Sequence, residues 1–277
     1  SILPGSWPAK GGFLGAHYDA FRIGDPQQPI PDVRSQVSPE RATRRFNGLV
    51  DVVEQEFARG RFEQLEQKKT LHMAAIRQAK RMMSSSQLEA FEIGRVSQAV
   101  RQQFGDTPFG RGCLAASRLV EVGVRCVEVT LRGWDTHINN HEKHGELNAV
   151  LDMAMSALLD RLHEKNLLQH TVVLWGGEFG RTVYSQGELT EDDYGRDHHP
   201  RAFTIFMAGG GIKPGMTYGE TDDFGYNVAK DKVEIHDLHA TMLHLLGIDH
   251  ERLIYKFKGR DFRLTDVAGN VVQAALA

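Results

Sequence analysis

The sequence predicts an α/β fold with a mostly parallel sheet. Two apolar runs, Arg125–Leu131 (RCVEVTL) and Thr171–Trp175 (TVVLW), read as buried strands, and Ala202–Ala208 (AFTIFMA) as a third. A helical stretch from about His141 to Lys165 separates the first two. Strand, helix, strand at this spacing is a βαβ unit. Its right-handed crossover sets both strand C-termini on one edge of the sheet, where ligands of open α/β sheets bind.

A chain of 277 residues is long enough for one large α/β domain. It is 41% hydrophobic and 25% charged, ordinary for a globular protein. A net charge of −3 gives no global field toward nucleic acid or a membrane surface. No apolar run approaches the ~20 residues of a membrane-spanning helix, so neither nucleic acid nor a membrane span is expected. The two cysteines, Cys113 and Cys126, read as buried free thiols in a helix and a strand. The opening Ser1-Ile2-Leu3-Pro4-Gly5 has no initiator Met and no signal pattern; it reads as a processed form or a fragment.

Residues 1–38 are rich in Gly, Pro and Asp and read as a loop-rich segment, with turns at Gly24-Asp25-Pro26 and Ile30-Pro31-Asp32. Ser38-Pro39-Glu40 opens a helix, Ser as N-cap and Pro at the first helical position. The helical pattern continues to about Met83, with Phe46, Leu49, Val50 and Val53 as an apolar stripe and Gly60 breaking it into a hairpin. Ser86 starts another short helix, and residues 108–122 form the next. Residues 39–122 are thus a helical layer or insertion, and the lone His72 on it is an ordinary packing or surface histidine. Residues 123–277 form the βαβ core of what is expected to be a single domain.

Chemistry concentrates in that core. Of 13 histidines, 11 lie between His137 and His250. The first strand runs into Gly133-Trp134-Asp135-Thr136-His137, with His141 and His144 four and seven residues on. Imidazoles at this spacing share a helix face. With a carboxylate they suit Zn, Mn or Fe. The bland alternative is a helix start with Asp135 or Thr136 as N-cap and solvent-facing histidines. His144, deepest into the helix, reads as structural.

Glu178 follows two glycines after the second strand, where the backbone turns sharply and can approach a ligand. Exposed there, it is a candidate ligand or general acid/base. Arg181 is suited to hold an anionic group through its forked donors. The alternative is a structural Glu178–Arg181 salt bridge. His198 and His199 follow Gly195-Arg196-Asp197. Their side chains diverge, so one faces the site and the other, or Asp197, orients it. Asp237 in His236-Asp237-Leu238-His239 reads as a helix N-cap, and His239, His244 and His250 as structural. Gly209-Gly210-Gly211 and the Gly215–Gly219 segment are turns, since neither fits a phosphate-binding fingerprint. No Gly-x-Ser-x-Gly elbow occurs.

The motif order GWDTH, VVLWGGEFGRT, GRDHHP, AGGGIKPG, YGETDDFGY, HDLHATMLHLLG and FKGRDFRLTD resembles the bacterial sulfatase-like domain-of-unknown-function family 1501 (DUF1501). That family is grouped with the alkaline phosphatase-like superfamily of metal-dependent phosphate and sulfate ester hydrolases. The resemblance implies a three-layer α/β/α sandwich with one or two divalent metals at the strand C-termini. It makes Asp135, His137 and His141 look like an Asp-plus-His ligand group, and His198 or His199 like the late histidine ligand. Glu178 stands where many members have an Asp-His pair; Phe179 replaces the histidine, which puts a second metal in doubt. The HDLHATMLHLLG helix is similar to a structural helix of sulfatases. The nucleophile of such enzymes lies upstream of everything seen here, and Thr136 is the lone hydroxyl in the cluster. The resemblance also suggests an exported or periplasmic protein.

The expected function is therefore metal-dependent hydrolysis of phosphate or sulfate esters. Asp135, His137, His141, Glu178, His198 and His199 are the candidate ligands, and Glu178 and Arg181 the candidate catalytic groups. The metal is Zn, Mn or Fe, with Ca or Mg as alternatives. The substrate is a small anionic ester such as a sulfated or phosphorylated carbohydrate. The rival expectation is a non-catalytic exported binding or scaffold protein on a degenerate hydrolase fold.

Overall fold

Ser38 caps the first helix, as the sequence predicts. In the computed structural model its Oγ accepts from the Arg41 N–H, and α1 (Pro39–Asn47) begins on proline. The structure describes residues 1–3, 18–31, 33, 35–49, 72–191 and 193–277. Val50, Val53, the Gly60 break, Asp32 of the second turn and the His72 side chain lie outside the described residues.

Three more helices follow before the site, each with a readable start except α2 (His72–Met83). Ser97 Oγ accepts from Val100 N–H at the head of α3 (Gln98–Gln103). Thr107 Oγ1 accepts from Gly110 N–H at 3.0 Å above Pro108 in α4 (Pro108–Glu121). Between α2 and α3, Ser85 caps a 3₁₀ segment, Ser86–Phe91. The long α5 (Asn140–Glu164) occupies the expected stretch.

The chain forms two compact units: Ser1–Arg132 with Ala149–Leu158, and Gly133–Asn148 with Leu159–Ala277. The first holds a core built on α4, which buries Phe109, Cys113, Leu114, Ala115 and Leu119 against Ile2, Ile93 and Phe104. Its small residues permit close approach. A Cβ at Gly112 would lie 2.7 Å from Val129 Cγ1. Arg111 on the same helix forks onto Asp25, Nε to Oδ1 at 2.9 Å and Nη2 to Oδ2 at 2.6 Å. Cys113 is buried, which pushes its thiol up to about 12. Cys126, expected to be buried, is exposed.

The second unit carries β1 (Val172–Trp175), β2 (Gly180–Gln186), β3 (Gly195–His199) and β4 (Phe206–Gly209). Beyond them come β5 (Glu220–Thr221), β6 (Val228–Lys230), α6 (Ile235–Leu245), β7 (Ile254–Phe257) and β8 (Arg260–Arg263). The ladders are β1–β4, β2–β3, β5–β6 and β7–β8, all two-stranded and antiparallel. This overturns the expected three-layer α/β/α sandwich with a mostly parallel, alkaline phosphatase-like sheet. Arg125–Leu131 enters no ladder; it is extended chain that exchanges backbone bonds with Ile2, from Ile2 N–H to Glu128 O at 2.7 Å and from Thr130 N–H to Ile2 O at 3.2 Å.

The physical reason lies in the connection. The expected crossover helix, α5, is present, but Arg125–Leu131 before it joins no ladder; among the described residues no helix lies between β1 and β4, where the β2–β3 ladder stands instead. A parallel pair needs a long crossover, whereas a chain that doubles back can pair antiparallel. Among the described residues, no helix is long and apolar enough to cross a membrane.

Candidate metal centre

The loop after Gly133 is held by a residue that points away from the site. Gly133 turns the chain at φ 109°, a conformation glycine tolerates. Thr136 is 2% exposed. Its Oγ1 accepts from Asn140 Nδ2 at 2.7 Å and lies 3.0 Å from His144 Nε2. The Trp134 ring meets His144 edge-on at 5.3 Å and Trp175 at 6.1 Å. With Thr136 anchored inward, its neighbours Asp135 and His137 are left at the surface.

A second segment is laced onto this loop. Arg196 N–H donates to Thr136 O at 3.1 Å, and Asn140 N–H to Tyr194 O at 2.9 Å. Asn139 N–H donates to Asp193 Oδ1. Between these ties sits Gly195, where a Cβ would lie 1.7 Å from His137 O. No other residue fits that approach without moving the backbone.

From Gly195, β3 runs on to the two adjacent histidines. In the β2–β3 register Arg181 stands opposite His198, and Gly180 opposite His199. Successive strand residues face opposite sides. His199 turns inward, 4% exposed, with Nε2 at 2.6 Å from Tyr226 O and its ring 4.6 Å from the Tyr226 ring. His198 faces the site. Its own N–H donates to Asp197 Oδ1 at 2.7 Å.

There Asp135 Oδ1 lies 2.8 Å from His198 Nε2 and 2.9 Å from His137 Nε2. The three ligand atoms all lie within 4.8 Å of one another. Among the described residues, Asp135, His137 and His198 alone form such a cluster. The hydrogen bond from His198 holds the Asp135 carboxyl below the usual range; burial opposes this, and the charges of His137, His198 and Arg181 reinforce it. Asp135 is thus an anion, as a ligand must be. His137 Nδ1 rests against Gln186 Oε1, a partner that orients the ring and leaves Nε2 for a metal.

Two imidazoles and a carboxylate are a donor set for Zn, Mn or Fe. Zinc takes its N and O ligands at about 2.0–2.2 Å, which spaces tetrahedral donors at roughly 3.4 Å. The present 2.8 and 2.9 Å contacts would open by about half an ångström to admit it, a side-chain adjustment. The residues fit a metal.

Arg181 and Glu178 border the cluster. Arg181 Nη2 is 3.8 Å from Asp135 Oδ1 and 3.3 Å from Trp134 O. Both Nη atoms bond Glu178 Oε1 at 3.2 Å. Phe179 packs its ring 4.7 Å from His198 and 5.5 Å from the Arg181 guanidinium. His141, exposed on the first turn of α5, stands apart, as does His199. Farther off, Asp237 is the N3 partner in a capping box with the N-cap Glu234, and His250 Nδ1 lies 3.0 Å from Thr265 Oγ1.

Gln186, Asn140 and Tyr194 support the centre without being singled out by sequence reasoning. For Asn140 a signal exists: it stands four residues before His144, the spacing of polar partners on a helix face, and four after Thr136 in the loop that leads into that helix.

A family model described as "Protein of unknown function (DUF1501)" matches residues 4–276. No curated protein and no solved structure matches the chain.

Proposed function

The chain belongs to the DUF1501 family, and on that footing we propose that it is a metal-dependent hydrolase of small phosphate or sulfate esters. The observation that carries the reading is the Asp135–His137–His198 cluster with the Arg181 guanidinium beside it. The likeness of the motifs to the alkaline phosphatase-like superfamily supports the reaction class, though not through the parallel sandwich, which this chain does not form.

Asp135, His137 and His198 would hold the metal. A divalent ion there would polarise an ester oxygen and acidify an attacking water. Arg181 supplies a fixed positive charge next to the ligand set and orients an anionic oxygen by its fork. Phe179 packs its ring against that of His198. Thr136 has its hydroxyl taken up by Asn140 and His144, so it is not the attacking group.

That same commitment of Thr136 favours one rival, a metal-holding protein that binds an anion without turning it over. Turnover of nitrophenyl phosphate and nitrophenyl sulfate by the Zn-, Mn- and Fe-loaded chain separates the two. Hydrolysis that disappears in His198→Ala is expected; metal retention with no turnover under any of these ions would favour the rival.

A further inference from the structure

Arg181 is placed as if to receive an oxyanion, yet a carboxylate of its own chain sits in the fork. The guanidinium side chain is 13% exposed, while the Glu178 side chain is 57% exposed. A single oxygen, Glu178 Oε1, takes both Nη1 and Nη2 at 3.2 Å. The guanidinium also meets two carbonyls, Gly180 O at 3.1 Å and Trp134 O at 3.3 Å, the Phe179 ring at 5.5 Å and the more distant Asp135. Arg181 Nε is buried and has no hydrogen-bond partner. A buried donor left open costs free energy, and it marks a guanidinium not fully satisfied by its own chain.

We propose that Glu178 is a removable stand-in for the substrate's oxyanion, and that sulfate or phosphate displaces it from Arg181. Three features make the exchange favourable. The seat is mostly buried, so its charge is weakly screened, whereas the stand-in faces water and regains hydration on leaving. A tetrahedral oxyanion offers several oxygens to a fork that one carboxylate oxygen fills poorly. The seat also adjoins Asp135, so an anion on Arg181 reaches the metal ligands. Glu178 then sets a threshold: weak or singly contacting anions do not dislodge it. This role rests on the hydrolase reading for its substrate, and it separates Glu178 from the metal ligands.

The test is calorimetric titration of inorganic sulfate into the whole chain, first metal-free and then zinc-loaded. Glu178→Gln is expected to bind sulfate about two- to fivefold more tightly than the wild type in both states, the value of one partly exposed ion pair. The gain is expected to vanish in Glu178→Gln combined with Arg181→Lys, which keeps the charge and loses the fork. Unchanged or weaker sulfate binding by Glu178→Gln overturns the proposal, and so does a gain that survives in the double variant. Loss of zinc from Glu178→Gln also overturns it, because Glu178 would then be a ligand. A wild type that takes up no zinc would sink the hydrolase reading alone, since the metal-free titration still reads Glu178 against Arg181.

Discussion

The Asp135 carboxylate and the His198 imidazole, 63 residues apart in sequence, meet at 2.8 Å. Neither element alone makes that contact. The Thr136 anchor fixes one side and the β2–β3 register fixes the other. The centre therefore depends on residues that touch no metal as much as on those that would.

Ligand loss is the plainest consequence. His198→Ala and Asp135→Asn should each weaken Zn binding by at least about a hundredfold, the upper end of what removing a mere orienting partner costs. Competition with a chromophoric chelator reads this directly. His199→Gln and His141→Ala should leave the affinity nearly unchanged, because His199 bonds Tyr226 and His141 stands outside the cluster.

Thr136→Val should lower stability by about 1–2 kcal/mol, since it strips a buried hydroxyl from Asn140 and His144. Metal affinity should fall by about tenfold as the loop loosens. Chemical unfolding and metal titration of the same variant check both effects. A destabilised protein with unaltered affinity would mean that Thr136 supports the fold without positioning the ligands.

At Gly195 the expectation is harsher. Alanine there puts a Cβ 1.7 Å from a backbone carbonyl, which cannot swing aside as a side chain would. A cost of about 3 kcal/mol follows from overpacking of this kind. Urea unfolding of Gly195→Ala measures it. Gly187→Ala is the control: its φ is 75° but no atom lies within 4 Å, so only backbone strain of about 1 kcal/mol is expected.

Acid should weaken the first unit through Asp25. Hydrogen bonding by Arg111 holds its carboxyl below the usual range; burial opposes this, and the Gln27 N–H and the Arg111 charge add to it. A depressed folded value means the stabilisation is complete above the ordinary carboxylate range, about pH 4, and is lost as pH falls through the depressed value. Asp25→Asn should cost about 1–2 kcal/mol at pH 7 and flatten the acid limb of the stability curve. Unfolding midpoints between pH 2 and 7 would show both.

Much of the local structure was legible in the sequence. Ser38-Pro39, the stretch 108–122 and the run from His141 each predicted a helix, because caps and apolar spacing act within a few residues. The loop of Asp135 and His137 and the Gly195–His199 segment were likewise visible as clusters of chemistry. What was not legible is long-range. A short apolar run such as VVLW does not say which strand it will pair with or in which direction: the sequence predicts a parallel βαβ unit of Arg125–Leu131 with Thr171–Trp175, whereas β1 pairs antiparallel with β4. The segment after Trp175 reads as a loop carrying Glu178 and Arg181, and nothing local showed that Gly180–Gln186 forms β2 or gave its register with β3. That register decides that His198 and not His199 faces Asp135, an alternative the sequence left open.

The most direct measurement is the metal content of the purified chain after dialysis, by elemental mass spectrometry, alongside His137→Ala. Three converging donors predict about one tightly held equivalent of Zn, Mn or Fe in the wild type and none in the variant. A wild type that holds no metal and takes none up, or a His137→Ala variant with undiminished content, would contradict a metal centre at Asp135, His137 and His198.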